Sequence, residues 1–336
     1  MMIELSELQD AAQKAFPADT LAPARDASWQ LIAEMGWLMI DLPEDLGGLG
    51  LGRDATTMLH VEMGRVLSRA PLATALITQR ALALSETLAD KAGWLERTST
   101  GTFVTINYDR RRITLDGRTV SGTLPAVPDA DMASHVLLCT DGLIALVPLD
   151  AASVTVRERP LWDETRRLFD VTLADHAIDP ALVVAEGAAA DAIAATLRED
   201  MLLGIAADAI GGAAAALDAT VDYLKTRRQF DRPLALFQAL KHRCADLKTR
   251  IVAADALLWA RAADPAATSV QFGALKALAC EVFRFTTQEM IQLHGGIGLT
   301  EEHSAHLFMK RAMLDFWLAG GADVLNEAAG RAALAA

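Results

Sequence analysis

Cysteine is scarce in this chain of 336 residues: there are three, Cys139, Cys244 and Cys280, and none stands in a CxxC spacing. An odd, sparse set points to a reducing compartment and away from a zinc site. Basic charge is also short. Lys and Arg number 31 against 44 Asp and Glu, a net charge of −13, which argues against a general nucleic-acid surface. Any anionic ligand must therefore meet a local basic cluster. A signal peptide is missing, because the opening "MMIELSELQDAAQKAF" is polar and acidic. Long apolar runs are missing too. The Ala-rich stretch 181–220 is interrupted by Glu186, Asp191, Arg198, Glu199, Asp200 and Asp208, so no segment is expected to span a bilayer. No internal repeat and no low-complexity linker is evident. The expectation is a soluble cytoplasmic protein that engages neither membrane nor nucleic acid.

What is present is apolar and patterned. Hydrophobic residues make up 52% and charged residues 22%, enough for a large buried core and too apolar for a disordered chain. Residues 1–98 read as a helical domain. "SWQLIAEMGWLMI" has helical spacing, "DLPEDLGGLGLG" breaks it, and "TTMLHVEMGRVLSRAPLATALITQRALAL" resumes it. Residues 99–180 read as a small β domain. Asp116-Gly117 and Asp141-Gly142 each sit between two β-rich runs, and "SVTVRE" and "LFDVTLADHAI" are further strand candidates. Residues 181–336 read as a helical bundle. Phe237, Leu240, Cys244, Leu247, Ile251, Ala254 and Leu258 form one stripe that Asp264-Pro265 ends. Leu275, Leu278, Val282 and Phe285 mark the next helix. The fold class is α+β, mostly α.

Two stretches carry chemical information. "YLKTRRQFDRPLALFQALKHRCADLKTR" places Lys225, Arg227, Arg228 and Arg232 between one helix and the next. Cations there complement a helix C-terminus, or they clamp a phosphate by bidentate guanidinium bonds. "IQLHGGIGLTEEHS" packs three glycines, Glu301, Glu302, His294 and His303 into residues 291–304. The glycines suit close approach to a ligand. The two glutamates are expected to open the following helix, where acidic residues are favourable. His294, His303 and His306 lack further ligands at a metal-binding spacing, so packing or hydrogen bonding is expected of them and no metal site is assigned.

These stretches resemble the acyl-CoA dehydrogenase family. Arg227-x-x-Phe230, then Phe237-Gln238 and Ala245-Asp246, is similar to that family's "R-x-x-F-G…F-Q…A-D" segment. Gln292, Gly295, Gly296 and Gly298 resemble its "Q-x-x-G-G-x-G" loop, and "GWLMIDLPEDLGGLG" its "G…P-E-x-x-G-G-x-G" segment. The resemblance covers nearly the whole chain. It implies a helical N-terminal domain, a middle β domain and a C-terminal four-helix bundle. It also implies FAD and α,β-desaturation of acyl-CoA thioesters, with a glutamate taking the α proton and flavin N5 the β hydride. Such a base must be buried to raise its pKa, and the thioester carbonyl must be polarised.

The catalytic pattern is not kept. The family's usual glutamate, in "Y-E-G-T", falls at Ala319 when counted gap-free from Gln292. Its alternative position, on the helix before Arg-x-x-Phe, falls at Met201. Glu199 is two residues off, about 200° round a helix. The weak catalytic candidate is therefore Glu302, with Glu199 behind it. The flavin-ring loop "T-E-P-x-A-G-S" is replaced in "TFVTINYDRRRITLDGRTV", and the "T-S-Q" after the glutamate by Gly321-Ala322-Asp323. The resemblance leaves Arg227, Phe230, Gln238, Gln292, Leu293, His294, Gly295 and Gly296 as cofactor-binding residues, which in the family reach a neighbour's FAD across the dimer interface. The implied protein is the short, non-catalytic subunit of a heteromeric dehydrogenase of bacterial sterol side-chain type. It would complete the FAD site of a longer partner in an α2β2 assembly, act on a bulky polycyclic acyl-CoA and pass electrons to an electron-transferring flavoprotein. The rival expectations are a self-sufficient homomer using Glu302 or Glu199, a flavin monooxygenase on the same fold, and a flavin-free scaffold.

Overall fold

The computed structural model describes residues 4–107 and 112–335. By compactness the chain divides into two units, one of Met1–Pro23, Arg53–Ser68 and Leu202–Ala336, the other of Ala24–Gly52 and Arg69–Met201.

The first unit is helical. It holds α1 (Leu5–Ala15), α3 (Gly52–Arg65), most of α6 (Gly187–Thr226), α7 (Gln238–Ala262), α8 (Ser269–His294), α9 (Ala305–Trp317) and α10 (Ala322–Ala335). One cluster of apolar side chains joins α6 to α10, including Leu202, Ile210, Leu217, Ile251, Leu258, Phe272, Phe283, Phe308 and Leu325. Helices α3 and α6 cross at glycines: a Cβ on Gly64 would stand 2.1 Å from the Asp208 carbonyl oxygen, and one on Gly211 1.9 Å from that of Val61. Arg311 of α9 is fully buried and bonds both Asp208 carboxylate oxygens, at 3.0 and 3.1 Å, and the Ser68 carbonyl at 2.9 Å. Helix α6 corrects one expectation. Its 40 residues are long and apolar enough to cross a membrane by length and composition, despite the interrupting charges; 78% of its apolar window is buried, as in a core helix.

The second unit combines α2 (Arg25–Glu34), α4 (Leu72–Leu84) and α5 (Lys91–Ser99) with two four-stranded sheets. One sheet has the order β1-β4-β5-β8, from Val104–Ile106, His135–Thr140, Leu143–Pro148 and Val183–Glu186. The other has the order β2-β3-β7-β6, from Ile113–Asp116, Thr119–Pro128, Leu168–Ala177 and Val154–Arg159. Both expected hairpins form, with Asp116 opposite Thr119 and Thr140 opposite Leu143. Strands β1 and β8 escaped the sequence reading: they are three and four residues long, too short for a period-2 signal. Gly36, at φ +70°, ends α2 ahead of a 3-10 turn at Trp37–Met39, and Pro71 separates α3 from α4.

Candidate functional site

Helix α6 ends at Thr226 and the chain enters a two-residue β-hairpin, β9 (Arg228–Gln229) and β10 (Arg232–Pro233). Its loop is Phe230-Asp231, with φ of +51° and +62°, the mirror-image turn that two-residue hairpins favour. A left-handed phenylalanine is strained by about 1–2 kcal/mol. This one is also 84% exposed. Three of the four cations are engaged: Lys225 with Asp222 at 2.9 Å, Arg228 with the Asp231 carbonyl at 2.7 Å, and Arg232 over the Phe237 ring at 4.0 Å. The exposed Arg227 guanidinium is paired with no acidic side chain among the described residues. Phe237 then caps α7, and Gln238 opens it, exposed.

The apolar stripe of α7 shows how open this end is. Leu247, Ile251, Ala254 and Leu258 are buried, whereas Phe237, Leu240 and Cys244 are only half-covered. Helices α7 and α8 form a hairpin, and Arg243 meets Glu289 at 2.6 Å near the start of one and the end of the other. That pairing brings Gln238 to the same end as the glycine loop. There, Gln292 is exposed, while the Leu293 and His294 side chains are buried, so those two residues offer a ligand main chain rather than side chain. A 3-10 turn follows at Gly295–Leu299. Gly295 has φ +69°, and a Cβ on Gly295 or Gly296 would meet nothing within 4 Å, so the loop backbone faces open space. The Tyr223 hydroxyl donates to the His294 carbonyl at 3.3 Å and ties the loop to α6. The structure thus gathers Arg227, Phe230, Gln238, Gln292, Gly295 and Gly296 at one exposed end of the helical unit. An unpaired guanidinium and an open run of loop backbone, beside an exposed Phe230 ring edge-on to Phe237 at 6.0 Å, are a set that fits an anionic dinucleotide.

The carboxylates lie elsewhere or differently. Glu301 and Glu302 are exposed in a turn and do not open a helix; α9 starts three residues after Glu302, behind Ser304. The expected capping is corrected: His303 intervenes, accepting the Ala305 N–H on Nδ1 at 3.2 Å. Asp200 lies 3.0 Å from Arg80, which also bonds Asp41 at 2.6 Å, and the half-buried Glu199 is in the field of the same arginine. Met201 is buried and lines a cavity of about 70 Å³ with Ile77, Ile106, Asn107 and Cys139. That volume is far below the roughly 300–1,000 Å³ of small-molecule sites. Asn107 is committed to β4, with its amide bonded to both backbone groups of Cys139, at 3.0 and 2.7 Å. The next residues of the replaced flavin-ring segment, 108–111, lie outside the described residues. Ala319 packs against the helical core with φ +59°.

Residues 5–102 match the acyl-CoA dehydrogenase N-terminal domain and residues 199–334 the acyl-CoA dehydrogenase C-terminal domain. A curated relative, acyl-CoA dehydrogenase IpdE2 of Mycolicibacterium smegmatis, is 32% identical over 84% of this chain and 80% of its own. The chain belongs to the acyl-CoA dehydrogenase family. Two solved structures extend the likeness. A chain of the "Tcur3481-Tcur3483 steroid ACAD G363A variant" is 28% identical at a TM-score of 0.85, over 97% of this chain and 96% of that one. A chain of the ChsE4-ChsE5 complex from Mycobacterium tuberculosis shares the fold at a TM-score of 0.85 and 22% identity, over 98% of this chain and 97% of that one. The family's helical, β, helical succession is the one built here.

Sequence reasoning missed Tyr223, although its place one helical turn before Arg227 was a signal. It also missed Lys276, which is fully buried and donates to the carbonyls of Phe316 and Gly320, both at 2.9 Å. A lysine inside an apolar stripe gives no hint in sequence of carbonyls 40 residues away.

Proposed function

We propose that this chain is the non-catalytic subunit of a heteromeric acyl-CoA dehydrogenase, completing the FAD site of a longer catalytic partner across a subunit interface. One contrast carries the reading. The two family base positions hold Ala319 and Met201, packed among apolar groups, while the residues that reach a neighbour's cofactor in the family stand exposed at one end of the helical unit. A general base contributes on the order of 10²–10⁴-fold only when positioned and tuned; Glu302 is exposed on a turn and Asp200 is held by Arg80. When bound, FAD supplies the acceptor for the β hydride in α,β-desaturation of the acyl thioester. This chain's part is binding: Arg227 on the pyrophosphate, the Gly295-Gly296 backbone beside the nucleotide, and Phe230 and Gln238 at its rim.

The likeness to a chain of the Tcur3481-Tcur3483 steroid ACAD supports a hetero-oligomer, α2β2, acting on a bulky polycyclic acyl-CoA. An electron-transferring flavoprotein is the acceptor that accompanies this chemistry, and sparse cysteine supports a cytoplasmic setting. The visible spectrum tests the reading. Flavin colour only on co-purification with the partner is the expected result, with the rate of that complex unchanged within a few-fold by Glu302→Gln. Colour in the chain purified alone, together with a hundred-fold loss in Glu302→Gln, makes it a self-sufficient dehydrogenase. No colour in either preparation makes it a scaffold.

A further inference from the structure

The arginine hairpin and the glycine loop lie some 65 residues apart in sequence and meet through Tyr223. Its carbonyl accepts the Arg227 N–H at 2.8 Å, and its hydroxyl donates to the His294 carbonyl at 3.3 Å. Its ring stacks on that of His294, with centroids 4.3 Å apart and planes at 26°. His303, from the turn after the loop, brings a third ring 4.3 Å from His294 and 6.2 Å from Tyr223.

The hydrogen bonds define the protons. His294 is 4% exposed, and its Nδ1 lies 2.7 Å from the Met290 carbonyl, which can only accept, so Nδ1 carries the proton. Its Nε2 is then a buried lone pair without a donor. His303 Nδ1 accepts the Ala305 N–H, which leaves its proton on Nε2. Both rings are neutral in this arrangement. The groups packed around them are Tyr223 of α6, the Met290 carbonyl of α8, the main chain of the glycine loop and His306 of α9; among the described residues no carboxylate bonds either ring. The exposed Glu301 and Glu302 precede His303 in the turn but bond neither ring among the described residues, so a second proton would make an imidazolium with no bonded carboxylate. Burial first holds both rings below the ordinary histidine value; at His294 the Met290 hydrogen bond opposes it and His303 adds to it, and at His303 His306 adds to it.

We propose that the Tyr223–His294–His303 stack is a positioning joint: it holds the arginine hairpin and the glycine loop in register while its imidazoles are neutral, and releases them on protonation. This rests on reading those two segments as the cofactor-facing surface. The sign follows from the lowered values. The folded loop favours neutral rings, so its stability is fully present above about 6.5, the ordinary histidine value, and is lost as pH falls below it. Acidification then separates two segments that must contact one dinucleotide together.

The test is hydrogen–deuterium exchange on the full chain from pH 7.5 to 5.5, read as protection factors for amides in 291–299 and 227–234. Flavin retention in the co-purified complex is followed over the same range. Wild-type protection in 291–299 is expected to fall about tenfold per proton bound per pH unit. Tyr223→Phe keeps the ring and loses the hydroxyl, so protection drops about fivefold at every pH without moving the midpoint. His303→Phe keeps a third ring and halves the protons linked to the step. A flat wild-type profile, or an acid step of full size in both His303→Phe and His294→Phe, overturns the joint. If His294→Phe does not fold, a full-size step in His303→Phe with a moved Tyr223→Phe midpoint overturns it equally. An acid step in exchange with flavin retention unmoved supports the joint and overturns the cofactor reading beneath it.

Discussion

Two loops of the same helical unit, residues 317–321 and Gly295–Leu299, differ in what fills the space around them. In the first, the Lys276 ammonium holds the carbonyls of Phe316 and Gly320, Ala319 packs on the core, and a Cβ on Gly321 would press on the Trp317 ring at 3.0 Å. In the second, Gly295 and Gly296 face nothing within 4 Å and Leu299 is 76% exposed. Counted gap-free from Gln292, the closed loop is where the proposed reading looks for the family's glutamate, and the open loop is the segment it assigns to a neighbour's cofactor. Burial on one side supplies stability. On the other, the exposed, left-handed Phe230 of the nearby hairpin costs stability, as strained residues at binding sites do.

The comparison breaks first, and hardest, at the buried ion pair that anchors α9. Arg311→Met strips Asp208 of its guanidinium in a site without solvent, and removing one partner of a buried pair costs about 3–5 kcal/mol. Denaturant unfolding should show that loss. If stability holds within 1 kcal/mol, roughly the size of a surface pair, the closed side is not what holds the unit together.

The next effect is smaller and bears on Ala319. Ala319→Glu restores the residue type the family uses, but places a carboxylate against apolar groups on a left-handed backbone. Ala319 is only half-covered and Lys276 lies close by, so a destabilisation of about 1 kcal/mol is expected, with no gain in the dehydrogenation rate of the complex. A rise in that rate would mean that the loop can still present a base and that the closure is incidental.

The smallest change sharpens the open side, and its two readouts should move in opposite directions. Phe230→Gly relieves a positive φ at the hairpin tip, partly offset by the entropy of a glycine, for a gain of up to about 1 kcal/mol in stability. Flavin retention in the complex should weaken several-fold at the same time. Stability and retention rising together would make Phe230 a strained bystander.

How much of this was legible beforehand varied with the range of the signal. The two hairpin turns and the α7 stripe are local patterns of propensity and period, and they were read correctly from a few residues each. The helical spacing of "SWQLIAEMGWLMI" was read too far, because Gly36 adopts a left-handed φ that ends α2. Glu301 and Glu302 had the composition of a helix start, yet the chain makes another turn before α9, with His303 supplying the acceptor. That choice depends on where α6 and α8 leave room for the rings of Tyr223, His294 and His303, which no short window encodes.

By itself the sequence determined the family and the succession of helical, β and helical segments, because each depends on residue identity at a set spacing. The tertiary structure alone decided that the half-covered Ala319 packs on the core beside carbonyls held by Lys276, that Arg227 has no acidic partner among the described residues while its three neighbouring cations are engaged, and that Tyr223 joins two segments some 65 residues apart. The physical reason is that burial, ion pairing and ring stacking are set by distances between side chains on different helices, and those distances exist only once the apolar stripes have packed.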